Sequence, residues 1–195
     1  MTAPFTINLG LPDGLEKEAA ALYWQAFGEK LGSLLGPAER GIAFFADTIN
    51  PPSIFAALAP DGTLLGVCAV KLNGKGFSDS GLGPLFRHYG IGTLWRIIPL
   101  ALLERTPPTG TLQMDGICVS EQARGMGVGT ALLDAVFAQA RSLNLCKVTL
   151  DVIDTNPRAR ALYERKGFKA TSTESTSFLK PLLGFSYATR MVKSV

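Results

Sequence analysis

Apolar residues change period several times along this chain, and each change marks an element. Phe5 to Leu9 alternates apolar and polar residues and reads as a first short strand. Leu15, Ala19, Leu22, Tyr23, Ala26 and Phe27 then recur at helical spacing, and Asp13 three residues before Glu16 predicts a capping-box-like start for that helix. Ile42, Phe45 and Ala46 continue a second helix, with Pro37 as its first residue and Asn50-Pro51-Pro52 as its stop. Ile54 to Ala59 and Thr63 to Leu72 flank Pro60-Asp61-Gly62, a hairpin signal.

Residues 73–110 exceed the ~12–15 residues of an ordinary bare loop. Leu94, Trp95, Ile98, Leu102 and Leu103 predict a helix inside this insertion, bent or begun near Pro99 and ended by Thr106-Pro107-Pro108. Leu112 to Val119 reads as a strand. Val128, Leu132, Leu133, Val136, Phe137 and Ala140 form an apolar helical stripe. Lys147 to Ile153 is another strand. Asn156-Pro157 then supplies a cap and first residue for a helix that Gly167 closes, before strands at Phe168 to Ser172 and Phe185 to Lys193. Hairpins imply antiparallel neighbours, and strand-helix-strand units imply parallel ones. The expected fold is therefore α/β of the α+β type: a mixed sheet flanked by helices, in one domain over residues 1–195.

Composition narrows the class. With 47% hydrophobic and 18% charged residues, the chain is globular rather than disordered. Its net charge is only +3 and the basic residues are scattered, which argues against a nucleic-acid partner. The segment Leu94 to Leu103 is broken by Arg96 and Pro99 and falls well short of the ~20 residues of a membrane span. Met1 to Phe5 lacks the pattern of a signal peptide. Cys68, Cys118 and Cys146 lie far apart without metal-type spacing, as expected of reduced thiols in a cytoplasmic protein with no metal.

The chemistry concentrates in Arg124-Gly125-Met126-Gly127-Val128-Gly129-Thr130, between the strand ending at Val119 and the apolar helix. Glycines allow a tight turn and close backbone approach, and a helix N-terminus attracts anions. A P-loop would need a lysine that is absent here. A Rossmann fingerprint would fit Gly125 and Gly127, with Asp151 at a tempting distance, but its third glycine falls on Thr130. The pattern [RQ]-x-x-G-x-[GA] is matched by Arg124, Gly127 and Gly129. It resembles the coenzyme A signature of the GNAT superfamily of N-acetyltransferases. The resemblance extends through Asn156, Ala159, Tyr163, Gly167 and Phe168, matching the family's N-x-x-A-x-x-x-Y-x-x-x-G-F segment, and covers roughly residues 112–170.

That resemblance implies a mostly antiparallel GNAT-like sheet, with a helical insertion between the third and fourth strands. It implies an acetyl-CoA-dependent N-acetyltransferase that moves an acetyl group to a primary amine of a small molecule or peptide by direct attack. Acetyl-CoA would lay its pyrophosphate on Arg124, Gly125, Met126, Gly127, Val128, Gly129 and Thr130, and its pantetheine arm beside Ile117 and Val119. The N–H of Ile117 would polarise the thioester carbonyl. Asn156 would cap its helix and touch the same arm. Tyr163 would be the general acid for the departing thiolate. Asp115 shares strand parity with Ile117 and Val119 and is the candidate proton collector for the amine. Neutralising a lysine-like amine at pH 7 costs about 4.6 kcal/mol and an α-amine only about 1.

By the same resemblance, Tyr23, Trp24, Phe27, Phe86, His88, Tyr89 and Trp95 would wall the acceptor site. The same aromatics fit equally a packed core or a homodimer contact. Two alternatives stay open: a non-catalytic acyl-CoA-binding module, and a Rossmann-type oxidoreductase.

Overall fold

The computed structural model describes residues 4–71, 74–78, 81–103, 108–177, 180 and 184–195. Its elements follow the order read from the apolar pattern: β1 (Thr6–Leu9), α1 (Glu16–Leu35), α2 (Ala38–Thr48), β2 (Ile54–Leu58), β3 (Leu64–Lys71), α3 (Leu82–Tyr89), α4 (Thr93–Leu103), β4 (Thr111–Val119), α5 (Val128–Ser142), β5 (Lys147–Ile153), α6 (Pro157–Arg165), β6 (Lys169–Ser175) and β7 (Tyr187–Ser194). The sheet order is β1-β2-β3-β4-β5-β7-β6. Every pairing is antiparallel except β4 with β5. A doubly wound dinucleotide fold needs a mostly parallel sheet, so this topology excludes the Rossmann alternative.

Alternation along the central strands builds two cores. Ile54, Val67, Ala69 and Cys118 pack under α1 and α2 with Leu34, Phe44, Phe45 and Phe77. Phe55, Cys68, Val70, Leu112, Met114, Val148 and Leu150 pack under α5 and α6 with Leu132, Leu133, Val136 and Tyr163. Both faces are covered, which is why β2 and β3 read as nearly continuous apolar runs.

Three local expectations need correction. α1 starts after Leu15 with no side-chain cap, because Gly14 at φ +89° turns the chain between Asp13 and the first helical turn. Pro37 is the N-cap of α2, not its first residue. Among the described residues the insertion holds two α-helices rather than one, joined by a 3₁₀ turn at Gly90–Gly92. Its first helix, α3, has only eight residues, too few for its apolar period to stand out in the sequence. Pro99 lies inside α4. Leu72, Thr106 and Pro107 fall outside the described residues, and so do the side chains of Leu102 and Leu103. No helix among the described residues is long and apolar enough to cross a membrane.

Candidate active site

The parallel pair β4/β5 holds together only at one end. Its register covers Thr111, Leu112 and Gln113 against Lys147, Val148 and Thr149, and beyond that the strands part. On its other side β4 stays on β3, but Ala69 faces Gly116 while Val70 faces Met114. Asp115 is thus the extra residue of a β-bulge, which bends the strand and opens the fork.

The bulge corrects the expected side-chain parity. Leu112 and Met114 face α5 before it, and Ile117 and Val119 pack on the same face after it. Asp115 therefore points to the opposite, α1 side. There its Oδ2 accepts a hydrogen bond from the Phe77 N–H at 2.8 Å. Gly76 leaves room beside it, since a Cβ there would lie 2.3 Å from the carboxylate oxygen and push that carboxylate aside. Gly116 likewise leaves room for α1, because its Cβ would come within 2.9 Å of the Phe27 ring and 3.3 Å of Tyr23.

The fork also exposes backbone. Ser120 N–H donates to Leu65 C=O at 2.8 Å, so Ser120 and Leu65 form a hydrogen-bonded pair of the antiparallel ladder. Alternation then turns the N–H and C=O of Ile117 and Val119 away from β3, toward the side β5 has left. A cavity of about 430 Å³ occupies this gap, between Met114–Ile117 and Leu150–Ile153. Asn156, Ala159 and Tyr163 also line it, as do Phe27, Glu29 and Thr176.

Past Val119 the chain makes a 3₁₀ turn at Glu121–Ala123 and enters α5 through Gly125 and Gly127, at φ +82° and +84°. These left-handed conformations favour glycine. Gly127 is the N-cap, and no side chain among the described residues caps the helix end by a hydrogen bond. The N–H groups of Gly127, Val128, Gly129 and Thr130 find no acceptor among the described residues. Arg124 and Met126 stand exposed at the rim, Arg124 with Glu121 at 3.4 Å. Gly129 faces Leu162 and Val119, at 3.6 and 3.7 Å from an added Cβ. The bare helix end therefore sits where β4 and α6 converge, at the end of the open edge of β4.

Tyr163 is 7% exposed and lines the cavity, with its ring edge-on to Phe168 at 5.8 Å. Burial pushes its phenol above the ordinary value, and the nearby Cys68 and Cys118 thiols add to the shift. Its hydroxyl has no hydrogen-bond partner among the described residues. Asn156 caps α6, its Oδ1 accepting from the Ala159 N–H at 3.1 Å, and also lines the cavity. Asp151 lines it too, but is held by Arg190 through two bonds of 3.1 and 3.2 Å.

The expected aromatic wall divides. Phe27 lines the cavity, and Tyr23 stacks on buried Phe77 at 3.9 Å. Trp24 instead packs between Gly28 and Gly41, joining α1 to α2. Tyr89 hydrogen-bonds Leu35 C=O, and His88 binds Asp47 at 2.9 Å; neither lines the cavity. Phe86 and Trp95 are exposed on the insertion, also away from the cavity.

Sequence reasoning missed Gln113 and Glu29, which line the cavity, and the bulge that aims Asp115. Gln113 is buried with Oε1 unpartnered among the described residues. A glutamine between Leu112 and Met114 in a central strand was the available signal. Glu29 sits on the exposed side of α1, with nothing in its spacing to mark it.

Comparisons with known proteins agree with this geometry. The chain is 38% identical over 85 residues to a mouse (Mus musculus) protein named "Probable N-acetyltransferase family 8 member 5", a match covering 42% of this chain and 37% of the relative. The chain thus spans about two fifths of the length of the curated relatives it matches. A GCN5-related N-acetyltransferase from Kribbella flavida superposes with a TM-score of 0.61 at 17% identity, covering 98% of both chains. Ard1 from Thermoplasma volcanium superposes at 0.63 with 18% identity, again covering 98% of both. These structural likenesses establish the fold. The sequence profile described as "Acetyltransferase (GNAT) family" matches residues 17–168, most of the chain, and with it the chain belongs to the GNAT acetyltransferase family.

Proposed function

We propose that this protein is an acetyl-CoA-dependent N-acetyltransferase that acetylates a primary amine of a small molecule or peptide by direct attack. The observation that carries this reading is the open edge of Ile117 and Val119 running into the uncapped N-terminus of α5. A row of unpaired backbone groups suits an amide-bearing arm, and the helix end suits a pyrophosphate. The residues present therefore fit acetyl-CoA, which when bound supplies an acetyl group as a thioester. Each N–H to a charged phosphate oxygen is worth ~1.5–3 kcal/mol, so the Gly127–Thr130 groups give useful affinity.

On this reading the Ile117 N–H polarises the acyl carbonyl. The Tyr163 hydroxyl, kept protonated by burial, donates to the sulfur as it takes up charge. Asn156 orients the arm while capping α6. Asp115 takes the amine proton through Oδ1, since Oδ2 is engaged by Phe77. Glu29 and Asp115 attract an ammonium group, and Phe27 offers it an apolar surface. Three thiols without disulfides fit a reducing, cytoplasmic setting.

The test is thiol release from acetyl-CoA across a panel of primary amines. Release that depends on an amine and yields its acetamide supports the reading. Tight acetyl-CoA binding with no turnover on any amine would instead assign a non-catalytic acyl-CoA-binding module.

A further inference from the structure

α4 is apolar around almost its whole circumference, yet half of it stands in water. Its inner side is accounted for. Thr93 is buried, Leu100 packs on the α1 core, and Arg96 hydrogen-bonds the carbonyls of Leu34 and Gly92 while covering the Tyr89 ring. Its outer side carries Leu94 at 61%, Trp95 at 49% and Ile98 at 69% exposure. Ile91, in the turn before it, is 84% exposed, and α3 adds Leu82 and Phe86 at i,i+4 on one face. Six of the exposed large apolar residues thus follow one another along a single insertion. Scattered exposed apolar residues are ordinary in a soluble protein, but Ile91, Leu94, Trp95 and Ile98 recur three and four apart and so share one side of the turn and α4, which marks a surface that something covers.

Charge selects the occupant. The stretch from Gly81 to Leu103 contains Arg87, His88 and Arg96 and no Asp or Glu, with Asp79 and Glu104 outside it in the sequence, and Arg40 of α2 adds a further guanidinium beside Tyr89. Among the described residues, Asp47 is close to it and is already shared by His88 at 2.9 Å and Arg87 at 3.7 Å. Arg87 is still 74% exposed, so its loose pairing leaves the guanidinium available. A second copy docked face to face would bring like charges together with no carboxylate in the stripe to meet them. An anionic lipid headgroup layer supplies the missing charge, and the acyl boundary beneath it receives the apolar side chains. Residue type agrees. Aromatic and branched apolar groups with arginine at the margin characterise helices lying in a membrane interface, and Trp95, with the Arg96 guanidinium 4.3 Å from its ring, suits the headgroup level.

We propose that the α3–α4 face is a peripheral membrane-binding surface that seats the protein on an anionic lipid bilayer. It lies in the insertion that the Phe77 N–H ties to Asp115, and is independent of the proposed catalytic reading.

The experiment is co-sedimentation of the full chain with phosphatidylcholine vesicles, with and without about one third phosphatidylserine, paired with tryptophan emission. The expected result is binding to the anionic vesicles, a blue-shifted emission lost in Trp95→Phe, and weakening as salt rises. Ile98→Asp and Ile91→Asp each weaken binding about tenfold or more, the factor expected for withdrawing one buried isoleucine. Both substitutions are at exposed side chains, and an unchanged melting temperature verifies folding. The wild-type comparison of the two vesicle types stands even if a variant fails. No sedimentation with anionic vesicles, equal binding to pure phosphatidylcholine, or undiminished binding by both variants would overturn the proposal. So would a concentration-dependent dimer that Ile98→Asp abolishes, which would give the stripe to a second copy.

Discussion

Replacing Tyr163 by phenylalanine removes one oxygen from the cavity wall and leaves the packing as it is. The ring keeps its place against Phe168 in the α5–α6 core. Because the hydroxyl has no protein partner among the described residues, the fold loses no hydrogen bond. The stability change should stay below about 1 kcal/mol, and the melting temperature should move by less than about 4 °C. The chemical cost is larger. A positioned general acid contributes ~10²–10⁴-fold, or about 2.7–5.4 kcal/mol of barrier. Burial raises the Tyr163 phenol well above a thiol's ordinary pKa of about 8.5, so complete transfer to the thiolate is uphill. Donation of a hydrogen bond, with the proton shared, is favoured, and this points to the lower end, about 10²-fold in kcat. Steady-state thiol release gives kcat, and calorimetry gives the affinity for acetyl-CoA, which should change less than threefold. A Tyr163→Phe enzyme with undiminished kcat would refute the acid role. An equal loss of acetyl-CoA affinity would move the hydroxyl from chemistry to binding.

Three further outcomes follow from the geometry. Gly129→Ala adds a Cβ at ordinary contact distance in a helical turn and should stabilise by about 0.4–1 kcal/mol, whereas Gly127→Ala at φ +84° should cost about 1–2 kcal/mol; urea melts distinguish them. Asp115→Asn keeps an oxygen for the Phe77 N–H and should fold as wild type while losing rate at low pH, where amine deprotonation limits; Asp115→Ala and Gly76→Ala should also lower the melting temperature, because both break that contact. The thiols of Cys68 and Cys118 and the Tyr163 phenol are raised by burial from ordinary values of 9.0 and 10.0, so the folded state holds protons that the unfolded state releases. Their contribution is complete below pH 9 and should decline above it, by on the order of 1.4 kcal/mol per pH unit for each thiol and, above pH 10, for the phenol as well; a urea midpoint that stays flat from pH 8 to 11 would contradict this.

Periodicity made most of the fold legible, because the central strands and α5 bury whole faces and their apolar residues must repeat at the element's own period. Gly125 and Gly127 were legible for a related reason, since a left-handed backbone admits few residues. Asn156 was legible as a cap followed by Pro157, and the structure shows that cap. The bulge was not legible. One inserted residue leaves no mark in a run such as Leu112–Val119, and a parity argument across it aims Asp115 to the wrong side. Nor could spacing tell Phe27, which meets Gly116, from Trp24, one turn earlier, which packs into α2. Such long-range contacts depend on how α1 crosses the sheet. The aromatic residues of the insertion showed their composition in the sequence, but not that half of them face water.

The central claim is that the α5 N-terminus and the open edge of β4 bind acetyl-CoA. Titration of the protein with acetyl-CoA by calorimetry, beside Gly127→Glu, tests it directly. Saturable one-to-one binding is expected, with an accompanying rise in melting temperature and loss of both in the variant, whose carboxylate and bulk would stand where phosphate should sit. Absence of binding by the wild-type protein, or binding unchanged in Gly127→Glu, would contradict it.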